Sequence, residues 1–179
     1  MLKAESTVLV VIDVQEKLIG VMFNKEELIE NLEKLIRGVQ VFNIPIIVTE
    51  QYPHGLGPTV PQLSRLIPDI PPLSKLSFSC CEDENFLKKL KTFERRQVLV
   101  SGIEGHVCVY QTVRDLIDSG YEVYVVTDAI SSRTPENKEI GLNLMREMSA
   151  VLTSTETALF EMLKIAKGEN FKAISQIVK

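Results

Sequence analysis

Thr7-Val8-Leu9-Val10-Val11-Ile12-Asp13 is an unbroken apolar, mostly β-branched run that ends on an acid. Such a run has no polar face to turn to water, so it predicts a strand covered on both sides, as in a parallel sheet. Pro45-Ile46-Ile47-Val48-Thr49-Glu50 and Gln97-Val98-Leu99-Val100-Ser101-Gly102 repeat the pattern, as does Tyr121–Thr127, with Asp128 expected just past its end. Ala150–Thr153 reads as a last short strand.

Helical patterns separate these strands. Lys25 to Phe42 places Leu28, Leu32, Leu35, Ile36 and Val39 on one face, with Asn24 as the expected N-cap and Glu26 and Glu27 in the first turn. Glu84–Leu90 is a short helix, and Val107–Ser119 is a helix stopped by Gly120. Thr134 and Pro135 open a helix that runs to Met148. Helices near Thr155–Ala166 and Glu169–Val178 close the chain. Alternating strands and helices predict an α/β fold, a parallel sheet covered on both faces, and one domain over residues 1–179. In such sheets ligands sit at the carboxyl ends of the strands, which brings Asp13, Gln51 and the Gly102–Cys108 segment forward. The Pro- and Gly-rich stretch from Gln51 to Pro72 is long for a plain connection and is expected to be functional or a lid.

The net charge of −4 excludes the basic footprint that phosphate binding needs, so no nucleic-acid partner is expected. No apolar run is long enough to span a bilayer. The chain has three cysteines, two of them adjacent (Cys80 and Cys81), and no zinc-ligand spacing. A reducing, cytoplasmic location follows as the expectation, with no cofactor, no metal and no disulfide. Neither a Gly-x-Gly-x-x-Gly after a strand nor a phosphate-binding Walker sequence is present.

Cys108 lies just after a strand-to-helix junction, in Ser101-Gly102-Ile103-Glu104-Gly105-His106-Val107-Cys108-Val109. The positive end of a helix dipole lowers a thiol's pKa, and backbone N–H groups there can hold an oxyanion. A free cysteine is as readily a plain core residue. Asp13 at a buried strand end needs a partner or a task, or it simply closes the loop. Nothing in the local spacing marks Lys75, which alone reads as a surface lysine. His54 and His106 are the only histidines, and His106 is expected to point to a different side of the helix start from Cys108.

Taken in order, these pieces resemble the isochorismatase-like cysteine hydrolases from about Thr7 to about Leu159. The matching segments are Val10-Val11-Ile12-Asp13-Val14-Gln15, the second strand through Gln51-Tyr52, Lys75 with Phe78 and Ser79, the Ser101–Val109 segment with Gln111-Thr112, and Val126–Arg133. The resemblance implies a three-layer α/β/α sandwich, an Asp–Lys–Cys triad at Asp13, Lys75 and Cys108, and a cis peptide at Ile103–Glu104. It implies that the turn through Glu104 and Gly105 serves the oxyanion, with N–H groups of Gly105 or its neighbours and of Cys108. It further implies a homo-oligomer and a small-molecule substrate, with cleavage of a C–N bond through a thioester as the leading reaction. Phe23, Gln51, Tyr52 and Phe78 are the guessed pocket walls. Two departures stand out. The metal cluster of nicotinamidases is absent after the second strand, where only His54 occurs, and glycine occupies position 105, where many members carry threonine. The alternatives are a vinyl-ether hydrolase that does not need the thiol, a binding or scaffold protein that keeps the fold without turnover, and a redox thiol protein using Cys80, Cys81 and Cys108.

Overall fold

The computed structural model describes residues 1–179. Six parallel strands form one sheet: β1 (Thr7–Ile12), β2 (Ile46–Gln51), β3 (Leu73–Lys75), β4 (Gln97–Gly102), β5 (Glu122–Ile130) and β6 (Val151–Thr153). Their order is β3-β2-β1-β4-β5-β6, so β1 lies inside the sheet and the chain reverses direction there. Every residue of β1 is buried. Side chains of a strand alternate between faces, so β1 feeds both cores. Leu9 and Val11 pack with α1 (Lys25–Val41), α5 (Thr155–Leu163) and α6 (Glu169–Ile177). Val8, Val10 and Ile12 pack with α2 (Glu84–Lys91), α3 (Tyr110–Asp118) and α4 (Pro135–Glu147). The result is the expected three-layer α/β/α sandwich. Each large aliphatic side chain buried this way stabilises the fold by ~1.5–3 kcal/mol relative to exposure.

The differences from the sequence reading are local. β5 runs on to Ile130, so Asp128 lies within the strand and not past its end. The pairing explains it: the β4–β5 register shifts after Val100, and Gly102 pairs with Ile130, which draws the extra residues into the strand. The helix expected from Val107 begins as a π-type turn at Gly105–Val109, and α3 proper starts at Tyr110. Asn24 precedes α1 as expected but does not cap it. Its φ is +51° and its amide bonds the Glu27 side chain instead. Thr134 does cap α4, accepting a hydrogen bond from the Asn137 N–H. β3 was not expected at all. Three residues paired to Thr49, Glu50 and Gln51 are too few to carry a periodic signal.

The Gln51–Pro72 segment is tied down and is not a free lid. It holds two single-turn helices, Pro53–Leu56 and Pro61–Ser64. The Gln15 amide donates to the carbonyls of Gln51 (3.0 Å) and Gly57 (2.7 Å), and the buried Glu50 carboxylate accepts from the Thr59 N–H (2.6 Å) and hydroxyl (2.8 Å). No helix of the chain is long and apolar enough to cross a membrane.

The sheet's carboxyl edge depends on one close approach. Gly102 pairs with Ile12 and has φ +115°. A Cβ there would lie 2.1 Å from the Ile12 carbonyl oxygen. We expect Gly102→Ala to lose about 3–5 kcal/mol of stability, from a strained φ and a backbone clash together. Urea unfolding measures it, and a loss under about 1 kcal/mol would show that the edge relaxes freely.

Candidate active site

The strand registers place the site residues. Ile12 pairs with Thr49 on one side and Gly102 on the other, so Asp13, the next residue, emerges between the ends of β2 and β4. Asp13 turns the chain with φ +53°, a conformation that Asp tolerates better than most residues. Gln51 pairs with Lys75 across β2–β3, which carries the lysine in from the sheet edge.

The two charges meet. Lys75 Nζ donates to Asp13 Oδ2 at 2.7 Å, and the side chains are 2% and 0% exposed. The same ammonium donates to Gln51 Oε1 (2.8 Å) and to the carbonyls of Ser77 and Phe78 (3.1 Å each). Those contacts more than occupy its three protons. The other carboxylate oxygen, Asp13 Oδ1, accepts from the Thr49 hydroxyl at 2.7 Å. Burial works to lower the Lys75 pKa, but Asp13, with Cys80 and Cys108 beside it, outweighs burial and holds it above its usual value.

Cys108 sits in the turn after β4 and is 7% exposed. Its thiol feels Asp13, Lys75 and Cys80. The expectation of a lowered pKa fails here. Burial, and then the negative charge and contact of Asp13, push the thiol well above its ordinary value, and the opposing pull of Lys75 is smaller. A helix dipole acts over its first turn only. Here burial and an adjacent carboxylate both oppose it, and the raised pKa favours the neutral thiol at rest. Lys75 is bonded to Asp13, so its charge is largely answered before it reaches the sulfur.

The turn that carries Cys108 contains the cis bond Ile103–Glu104. Gly105 donates its N–H to the Ser131 carbonyl at 2.8 Å, which engages the donor that had been assigned to an oxyanion. The Glu104 N–H makes no hydrogen bond within the chain. Glycine at 105 has a packing reason: a Cβ would stand 2.9 Å from Ile130 Cγ2 and 3.1 Å from Ser132 Oγ. His106 turns toward Ser132, with Nδ1 3.1 Å from its Oγ. Glu104 is paired with Arg133 at 2.9 Å.

Of the guessed pocket walls, Gln51 touches the site directly through Lys75. Phe78 contributes its carbonyl, and the residue is 55% exposed. Phe23 is held against the turn by its N–H to the Ser132 carbonyl (2.8 Å) and by the Ser131 hydroxyl donating to its carbonyl. Tyr52 donates its N–H to the Lys75 carbonyl, and its ring lines a neighbouring surface cleft with Pro53, His54 and Leu76. No group of three or more His, Cys, Asp or Glu side chains is arranged to hold a metal ion. Cys80 is buried behind the pair, its Sγ 3.8 Å from the Thr49 hydroxyl and its N–H on the Thr112 hydroxyl. Sequence reasoning missed Thr49 and Gln15 as site residues. A hydroxyl at the mouth of an apolar strand, and an amide two residues past a buried acid, were the available signals.

The raised pKa values make a stability prediction. Burial pushes Cys80 up to about 11 and Cys81 up to about 12, and Cys108 rises further. An unfolded thiol ionises near 8.5, so between that pH and the folded values the native state holds protons that the unfolded state has lost. Stability is therefore complete below about pH 8.5 and falls above it, by up to about 1.4 kcal/mol per pH unit for each of these thiols. Lys75 adds a loss of the same sign above about pH 10.4. Urea unfolding between pH 7 and 10 should show the decline, and changing Cys80, Cys81 and Cys108 to Ser together should flatten it. Equal decline in that variant would contradict the assignment.

Comparison with known proteins agrees with this architecture. The Isochorismatase domain family model matches residues 7–157. The chain is 39% identical over 179 residues to the secreted isochorismatase effector Isc1 of Phytophthora sojae, covering 97% of this chain and 85% of the relative. It superimposes on the MAR1 ribonuclease of Caenorhabditis elegans with a TM-score of 0.93 at 34% identity, covering 99% of this chain and 91% of the other. The YcaC protein of Pseudomonas aeruginosa, solved with hexane-2,5-diol and covalent acrylamide, matches with a TM-score of 0.93 at 25% identity, covering 98% and 90%. With a family match across most of its length, a shared sheet and helix arrangement, and relatives above 30% identity, the chain belongs to the isochorismatase family of hydrolases.

Proposed function

We propose that the protein is a cysteine hydrolase that cleaves the C–N bond of a small amide with Asp13, Lys75 and Cys108. The observation that carries the reading is a buried carboxylate, pinned by one ammonium and one hydroxyl, lying against a neutral thiol. A thiol that holds its proton needs a base at the moment of attack, and Asp13 is the base within reach. Cys108 Sγ gives its proton to Asp13 as its S–C bond forms at the substrate carbonyl. The oxyanion is held by backbone N–H groups of the turn, for which the unpartnered Glu104 N–H and the Cys108 N–H are the candidates. The C–N bond then breaks, and the amine leaves with the proton from Asp13. Water attacks the thioester, Asp13 takes its proton, and the acid leaves as the sulfur recovers a proton. Lys75 stays charged throughout and steadies the carboxylate form of Asp13.

The covalent acrylamide of the Pseudomonas aeruginosa relative supports a nucleophile in that protein, since acrylamide adds through its vinyl carbon with its amide bond intact. The net charge of −4 argues against an RNA substrate, whatever the name of the Caenorhabditis relative. The chain works as one domain, in the cytoplasm and as a homo-oligomer, for which the exposed Val21, Leu76 and Phe78 supply apolar surface. A second reading is favoured by the family match: vinyl-ether cleavage by protonation, which uses Asp13 and not the thiol.

One experiment separates the two. Purified wild type, Cys108→Ala and Cys108→Ser are assayed on a panel of small amides and on isochorismate. We expect amide turnover to fall by roughly 10³-fold or more in both variants, with an acyl adduct on Cys108 of the wild type seen by intact mass spectrometry. Full turnover by Cys108→Ala would overturn the nucleophile assignment, and on isochorismate it would establish the ether reading.

A further inference from the structure

We infer that Thr49 is a positioning residue that fixes the Asp13 carboxylate as the base for Cys108. The inference rests on the reading of Asp13 as that base and goes one residue further. Thr49 is 1% exposed within β2, two residues before its end, and its hydroxyl donates to Asp13 Oδ1 at 2.7 Å while Lys75 holds Oδ2 at the same distance. The backbone adds a second tie, because the Asp13 N–H donates to the Thr49 carbonyl at 3.1 Å. Asp13 is thus gripped at both oxygens and at its own nitrogen, and its carboxylate plane has no freedom left to turn from the sulfur. The Thr49 hydroxyl is oriented in turn, since the Cys80 sulfur lies 3.8 Å away as a donor to it.

The titratable groups that face Asp13 are Lys75 from β3, Cys80 from the turn after β3, and Cys108 from the turn after β4. Glu50, the neighbour of Thr49, has its carboxylate on Thr59 and takes no part. Lys75 supplies charge to the pair and Thr49 supplies direction. A hydrogen bond to the charged form of a carboxylate favours that form, so removing it makes the acid easier to protonate. Valine is the apt replacement because it keeps the branched shape and loses only the hydroxyl, and serine restores the hydroxyl on a smaller side chain.

The test needs no knowledge of the natural substrate. Iodoacetamide alkylates Cys108: the thiol proton passes to Asp13, the S–C bond forms, and iodide leaves. The rate at Cys108 is followed against pH by peptide mass spectrometry in wild type, Asp13→Asn, Thr49→Val and Thr49→Ser, with urea midpoints confirming that each variant is folded. We expect the acid limb to move up by roughly one pH unit in Thr49→Val, with the rate on that limb falling by up to about tenfold, and to return in Thr49→Ser. A Thr49→Val profile that overlays wild type while Asp13→Asn loses its acid limb would overturn the role of Thr49 alone. A wild-type profile unchanged by Asp13→Asn would instead overturn the parent reading. A fall in rate without movement of the limb, not rescued by serine, would reduce Thr49 to a packing residue and also overturn the inference.

Discussion

The contact on which the rest of this structure depends is the buried pair of Asp13 and Lys75. Either charge alone at that depth would be left uncompensated, and breaking such a pair from one side costs about 3–5 kcal/mol. The pair therefore constrains everything that delivers it. β1 must end where it does, β2 must carry β3 in register at Gln51 and Lys75, and the loop after β3 must fold back so that the Ser77 and Phe78 carbonyls reach the ammonium. A three-residue edge strand is a weak element by itself. It persists here because its last residue is bonded to the centre of the sheet.

After burial, the same pair sets the state of the thiol. A cysteine at a helix start beside a lysine invites the reading of a resting thiolate. Burial argues otherwise, and so does the pair, because the lysine's charge is bound to the aspartate and the aspartate's charge raises the thiol further. Such a site stores no reactive anion. On the proposed mechanism the proton leaves the sulfur only as the sulfur bonds to the substrate, with Asp13 receiving it. The cysteines at 80 and 81 are also pushed upward by burial, to about 11 and about 12, which favours their thiol form by the same argument.

Most of the architecture was legible in the chain because it is written in contiguous patterns. The β1 run, the 3.6-residue periodicity of α1 and the Thr134-Pro135 start of α4 each contain their own explanation. Asp13 was legible as an acid at a strand mouth. Lys75 was not, because its meaning comes from a pairing with Gln51 across a strand too short to announce itself, and only family resemblance singled it out. Thr49 was hidden differently: a threonine is ordinary in a strand, and its task appears only when Asp13 Oδ1 is seen against it. The direction of the Cys108 shift was misjudged because a helix dipole can be inferred locally, whereas a carboxylate from 95 positions earlier in the chain cannot.

The central claim is that Cys108 rests as a neutral thiol and yields its proton to Asp13 only during attack. The most direct measurement is the ultraviolet absorbance of thiolate, titrated in wild type and in Cys108→Ser, with the difference assigned to Cys108. The account predicts no Cys108 thiolate at neutral pH and an inflection above that of a free thiol, about 8.5. A thiolate signal already complete at neutral pH would contradict it and make Lys75, not Asp13, the group that activates the sulfur.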